Sequence, residues 1–263
     1  MIHLPIMKNT LIKTFVGIFA LASLASHSYA ADELSPIPTI SSEWRFEVTP
    51  YVWAPGIKGT LGLDSGLAKS ADFTSSDLVS NLKSGGMISA EVHQGRWGVM
   101  GDVVSATLQK TGAIPNTGDA VGDKITLQQT ILTGVVTYTV TNTRDAYVDA
   151  LLGARAIYAT ATLNVSGYGT ASKTTSTVDP IVGAKGRYRI ADSTWYVPFY
   201  GDIGSGGGTT NLTWQAMAGV GKTFNQLVDT SLTYRALYYD MKDGGVLQKT
   251  TMFGPQVAAT FKF

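Results

Sequence analysis

Glu91 and His93 stand two residues apart, so on a strand they share a face, and a carboxylate beside an imidazole is the smallest unit of acid/base chemistry. Beyond residue 30, His93 is the only histidine, and no serine nucleophile is placed beside it by the sequence. A lone histidine without a recognisable triad reads as a structural or solvated group, so no catalytic residue is expected. Gly219-Val220-Gly221-Lys222-Thr223 looks like the end of a phosphate-binding loop, but the first glycine of that motif falls on Ala216 and the segment continues a strand. Glycines there, beside Gln215 and Met217, are expected to make room for larger inward neighbours. No cluster of His, Cys or carboxylates has metal-site spacing, so neither a metal nor a cofactor is expected. The sequons at Asn164 and Asn211 are given little weight.

The remaining charged residues follow a pattern. Glu47, Glu91, Asp102, Asp149 and Asp202, with Arg45, Arg155, Lys185, Arg187 and Arg235, fall on one parity of alternating segments whose other parity is apolar. In the segment from Ala146, Tyr147, Asp149, Leu151, Arg155 and Ile157 oppose Val148, Ala150, Leu152, Ala154 and Tyr158. Trp195, Val197, Phe199 and Ile203 likewise oppose Tyr196, Tyr200 and Asp202. Opposite charges on the inner face of a small barrel are expected to pair across the lumen, because an unpaired buried charge is costly. A sharper reading of the same residues is a narrow polar conduit that selects small solutes.

The elements that hold these side chains are strands. Alternating segments are expected at 43–54, 85–94, 96–110, 124–141, 146–160, 175–190, 194–204, 211–224, 228–241 and 248–263. Tight turns near residues 95, 144, 192 and 226 alternate with longer connections at 55–84, 111–123, 161–174, 205–210 and 242–247. Short turns on one side and long loops on the other are the asymmetry of a membrane barrel. The expected fold is all-β, a closed antiparallel up-and-down transmembrane β-barrel of about ten strands, or eight if the hairpin at 194–224 does not span. Trp44, Trp97, Tyr138, Tyr147, Tyr188, Trp195, Phe224, Phe261 and Phe263 sit near the turn-side strand ends and are expected to form an interfacial girdle. A soluble lipocalin-like barrel gives no reason to gather them there. Pro50, Pro180, Pro198 and Pro255 fall inside these strands and are expected at bulges or strand ends, since proline cannot donate to a ladder. In the first long loop, the cap-type residues before Leu78, Val79 and Leu82 suit a short helix, either a surface turn or a partial plug of the barrel mouth.

Residues 1–30 carry Lys8 and Lys13, no acidic residue, a short apolar run and Ser28-Tyr29-Ala30, the parts of a secretory signal peptide cleaved after Ala30. The rest divides into an N-terminal segment, 31–42, on the periplasmic side, and one barrel domain, 43–263. Without the signal, 18 Lys and Arg remain of the 20, against 19 Asp and Glu. That balance gives no sign of a nucleic-acid partner. With no cysteine, neither disulfides nor a lipoprotein anchor is expected.

Trp44-Arg45-Phe46-Glu47-Val48-Thr49-Pro50-Tyr51-Val52-Trp53-Ala54, then Gly56, Gly59, Ser76-Asp77-Leu78, Gly85-Gly86-Met87 and Gly95-Arg96-Trp97-Gly98, resemble a group of uncharacterised outer-membrane β-barrel proteins of Gram-negative bacteria. In architecture the chain is similar to small OmpA-like and OmpW-like barrels. The resemblance implies an outer-membrane address with both termini periplasmic, and a structural or narrow channel role for small or hydrophobic solutes. It carries over no site residue. The alternating end of the chain, Phe261 and Phe263 included, resembles the signal read by the outer-membrane assembly machinery, so that machinery and outer-membrane lipids are the expected partners. Two alternatives stand beside this reading: a lipid-modifying or proteolytic barrel enzyme, and a binding or adhesion surface made by the 55–84 and 161–174 loops.

Overall fold

The computed structural model describes residues 34–63, 68–111, 124–165, 169–206, 210–243 and 246–263. The expected signal peptide lies outside the described residues, as do the tips of the long connections. Alternating side chains in the rest form twelve strands: β1 Trp44–Trp53, β2 Gly56–Leu63, β3 Ala68–Phe73, β4 Leu82–Gln94, β5 Trp97–Thr111, β6 Lys124–Asn142, β7 Ala146–Val165, β8 Gly169–Arg189, β9 Trp195–Gly204, β10 Thr210–Thr223, β11 Val228–Asp243 and β12 Val246–Lys262. Neighbours pair antiparallel, and β12 returns to β1, with Val48 opposite Phe261 and Phe263 exchanging both backbone hydrogen bonds with Phe46. The sheet is therefore closed, as it must be where no water can satisfy an edge.

Twelve strands make ten staves. β1 and β2 lie end to end along β12, and β3 and β4 form the next stave, with helix α1, Ser75–Asn81, inserted between them. The segment expected as a loop at 55–84 thus contains two more strands, because Ile57 to Gly62 pair with β12 on one side and β3 on the other. The helix is real. Thr74 caps it by accepting from the Asp77 backbone N–H, while the Asp77 carboxylate accepts from the Thr74 N–H, a reciprocal box that fixes its start. Leu78 is its buried residue.

The outward parity carries the exposed apolar band, including Val52, Ile88, Val99, Leu132, Val136, Leu152, Val182, Ile203, Leu232 and Val257. The turn-end aromatics Trp44, Trp97, Tyr138, Tyr188, Trp195, Phe224 and Phe263 are exposed beside it. Tyr147 does not join them. It faces inward and is buried, because it shares parity with Asp149, and a phenol can hydrogen-bond among the lumen charges.

None of the four prolines sits at a bulge. Arg187 pairs with Pro198 and Tyr234 with Pro255 in regular ladders, and Ala154 with Pro180 likewise. In each case the ladder is interrupted only on the other side: β9–β10 between Phe199 and Tyr196, β12 between Gln256 and Phe253, and β8–β9 above Ile181. Pro50 likewise pairs with Ile88 of β4, while the β1–β12 ladder skips it between Val48 and Tyr51. A residue's N–H points to one neighbour, so proline removes one bond and leaves the opposite ladder intact.

Closure rests on the last seven residues, which partner both β1 and β11. Deleting 257–263 is expected to abolish the heat-modifiable, detergent-resistant form seen by gel electrophoresis of the refolded protein; a truncated chain that keeps that form would show that closure does not depend on β12.

Candidate functional site: a two-part lumen

The inward parity is mostly charged at the turn end, where Met100, Val135, Leu151, Ile181 and Tyr200 form a small apolar cluster beside the charges, and mostly apolar at the loop end. At the turn end, Arg187 donates to Asp229 at 2.7 Å and lies 3.3 Å from Glu47, and Lys262 donates to the other oxygen of Asp229 at 2.8 Å. Arg45 stands 3.4 Å from Glu47. Beside them, Lys185 pairs with Glu91 and lies 3.5 Å from Asp149, whose other oxygen accepts from Thr139 at 2.7 Å. One level further in, Arg235 spans the lumen: it donates to Asp102 at 2.9 Å, to Gln215 at 2.8 Å and to the Tyr51 hydroxyl at 2.8 Å, and Tyr51 in turn donates to Asp102 at 2.7 Å. Arg155 engages both oxygens of Asp202 and donates to Thr213 at 3.2 Å, with no exposure on either charged side chain.

Glu47, Glu91, Asp102, Asp149, Arg155, Lys185, Arg187, Asp202 and Arg235 are thus all brought into the lumen. Asp229 and Lys262, which join them, were not singled out in the sequence; each keeps inward parity, which was the available signal. Chain segment 34–42 closes the turn end from below. Ile37 is buried, and the carbonyls of Pro36, Pro38 and Thr39 accept from Arg187, Asn142 and Arg45.

His93 is neither solvated nor free to meet a substrate. It is 3% exposed, bonded to Glu91, and lies within 3.5 Å of Thr137 and Tyr147. Gly98 on the neighbouring strand makes this possible: a Cβ there would stand 2.5 Å from the imidazole. Gly221 does the same for the Tyr196 ring, which a Cβ would approach to 2.3 Å, so the phosphate-loop look of that segment records packing. Glu91, His93 and Asp149 bring ligand-type atoms within 4.8 Å of one another, a grouping that sequence spacing hides because Asp149 comes from another part of the chain. The Lys185 ammonium reaches both carboxylates, so the cation they require is supplied by the protein itself.

The loop-end half is different. Trp53, Val104, Ile131, Ile157, Leu237, Tyr239, Met241 and Met252 pack as one cluster, with Ile57 and Met87 against it. All of these but Ile157 and Leu237 border a cavity of about 780 Å³ that also reaches Leu78 of α1, Ala106, Leu108 and Leu127. Gln129 donates to the Tyr239 hydroxyl at 3.0 Å and Gln248 approaches it at 3.5 Å, a polar patch in a mostly apolar wall that also includes Asp72, Asp77, Asn81, Gln128 and Thr250. By contrast the cavity among the charges holds about 170 Å³. Arg235 forms the floor between the two, its guanidinium 4.9 Å from the Trp53 ring centre.

Comparison with solved structures agrees with this fold. The outer-membrane protease OmpT of Escherichia coli superposes with a TM-score of 0.55 at 6% identity, over 86% of this chain and 99% of that one. Ail, the attachment invasion locus protein of Yersinia pestis (13% identity, 84% and 98% coverage, TM-score 0.37), and the toluene transporter TbuX of Ralstonia pickettii (10%, 88% and 92%, 0.38) match less well. No family model and no curated protein matches the sequence. Fold and exterior together define an integral outer-membrane β-barrel.

Breaking the floor tests its energetics. Arg235→Met leaves Asp102 buried without its cation, and is expected to lower unfolding stability in lipid vesicles by about 3–5 kcal/mol, with Arg235→Met/Asp102→Leu recovering most of that loss. A single variant as stable as the parent in denaturant titration would show that the pair is not the buried link described.

Proposed function

We propose that this protein is a non-catalytic outer-membrane barrel that takes a small, largely apolar molecule into the loop-end half of its lumen. The observation that carries this reading is the apolar chamber above a filled, charge-paired floor. Its volume falls within the roughly 300–1,000 Å³ of small-molecule sites, and a mostly apolar wall with a few polar groups is the usual lining of such sites. The patch of Tyr239, Gln129 and Gln248 can hydrogen-bond a polar group carried by such a ligand.

The turn-end half supports a closed floor rather than an ion channel. Paired arginines and carboxylates there leave little space, and segment 34–42 covers it from below. Enzymatic readings find less support: His93, the one imidazole among the described residues, is packed beneath the floor, away from the chamber. In this reading the turn end and both termini face the periplasm, the loops face outward, and Phe261 and Phe263 serve the assembly machinery.

Titration of the detergent-solubilised protein with the apolar dye phenylnaphthylamine is expected to give saturable fluorescence enhancement. Ala106→Trp, which places an indole in the chamber, is expected to weaken it by about tenfold or more while the barrel stays folded. In planar bilayers the same protein is expected to carry no ion current. Non-saturable dye signal, or steady single-channel conductance, would contradict the reading.

A further inference from the structure

The wall of the barrel is interrupted beside the chamber. β1 pairs with β4 up to Pro50 opposite Ile88, and the stave finds its neighbour again only at Ile57 opposite Phe73. Of the first stave, Tyr51 to Trp53 and Gly56 have ladder partners on the β12 side alone and Ala54 donates there to the Pro255 carbonyl, while Leu82 to Met87 of β4 pair only with β5. Ladder pairing between the two staves lapses there, where α1 is inserted between Phe73 and Leu82.

What replaces the ladder is side-chain chemistry. The Trp53 N–H donates to the thioether sulfur of Met87 at 3.2 Å, and the Ala54 carbonyl accepts from the Ser75 hydroxyl at 2.9 Å. An unpaired backbone group in hydrocarbon costs several kcal/mol, so these substitutes keep the opening tolerable, and a thioether is a weak acceptor that rotates away more easily than a ladder shifts. Prolines fix the place: Pro50 is the last paired residue below the opening, Pro55 lies within it, and Pro255 stands across from it on β12.

The opening faces both the chamber and the lipid. Trp53, Ala54, Pro55, Leu82 and Met87 all line the chamber, although Ala54 belongs to the outward parity. Outside, Val52 and Ile88 carry the apolar band up to the gap, and just above it Lys58 extends its ammonium over the Phe253 ring at 5.6 Å. A lysine lying along an aromatic at the top of an apolar band marks the lipid–water boundary. The gap therefore sits immediately beneath that boundary, among acyl chains.

We infer that the gap between Tyr51–Gly56 and Leu82–Met87 is a lateral portal through which the apolar ligand passes between the chamber and the surrounding acyl chains. This inference rests on the chamber reading above. A molecule in the chamber has a charged floor below it and a hydrocarbon phase beside it, so the sideways route is the one along which an apolar solute need not cross charge.

Continuing the register from Pro50 and Ile88 sets Val52 opposite Gly86, and the chain has no cysteine of its own. In V52C/G86C, oxidation ties the staves together across the opening. Gly86→Trp is a second, non-covalent block, since no atom lies within 4 Å of where its Cβ would stand. Each variant is loaded with phenylnaphthylamine and reconstituted into vesicles whose lipids carry an acyl-chain nitroxide quencher, and the rate of dye transfer is read by quenching.

Equilibrium dye binding in detergent is expected to match the parent, while transfer slows by about tenfold or more in oxidised V52C/G86C and in Gly86→Trp, with reduction restoring the former. Unchanged binding with unchanged transfer in both variants would overturn the portal and leave the chamber standing. Absence of dye binding in the parent would overturn the chamber reading and the portal with it.

Discussion

In hydrocarbon an amide without a partner costs several kcal/mol, and this constraint shapes the whole molecule. It demands that β12 return to β1, which Phe263 and Phe46 accomplish with two reciprocal backbone bonds. It explains why each strand proline breaks a ladder on one side only. It also makes the lapse in pairing between the first two staves notable, because there the chain meets the same demand with a hydroxyl and a thioether instead of a neighbouring strand.

Closing the wall creates an interior that must be filled, and the chain fills its halves with opposite chemistry. At the turn end, arginines with several donors each bond carboxylates and phenols from facing strands, so charges taken out of water meet opposite charges. At the loop end, branched and thioether side chains line space they do not fill. Arg235 lies at the junction, bonded to Asp102 and stacked near Trp53, so one side chain belongs to both regimes.

The architecture was legible because a strand alternates its side chains with a period of two. Tyr196, Tyr200 and Asp202 face in and Trp195 and Ile203 face out, as their parity requires. Other features depend on what lies across the barrel. The Arg155 to Asp202 pair and the Lys185 to Asp149 contact join residues far apart in sequence, so spacing alone cannot predict them. Tyr147 illustrates the limit: its position near a turn suggests the girdle, while its parity puts it beside Asp149, and parity prevails. The two strands within 55–84 were hidden because glycines and small polar residues read as loop, whereas β12 supplies the partner that holds Ile57 to Leu63 extended.

The central claim is that the loop-end lumen is an apolar compartment sealed from the charged turn end. Diffraction from crystals held under xenon pressure tests it directly, because dry apolar cavities take up xenon and polar, hydrated ones do not. Xenon is expected among Val104, Ile131, Met241 and Met252, above Arg235. An ordered file of water running from that space past Arg235 to Glu91, with no xenon, would contradict the account.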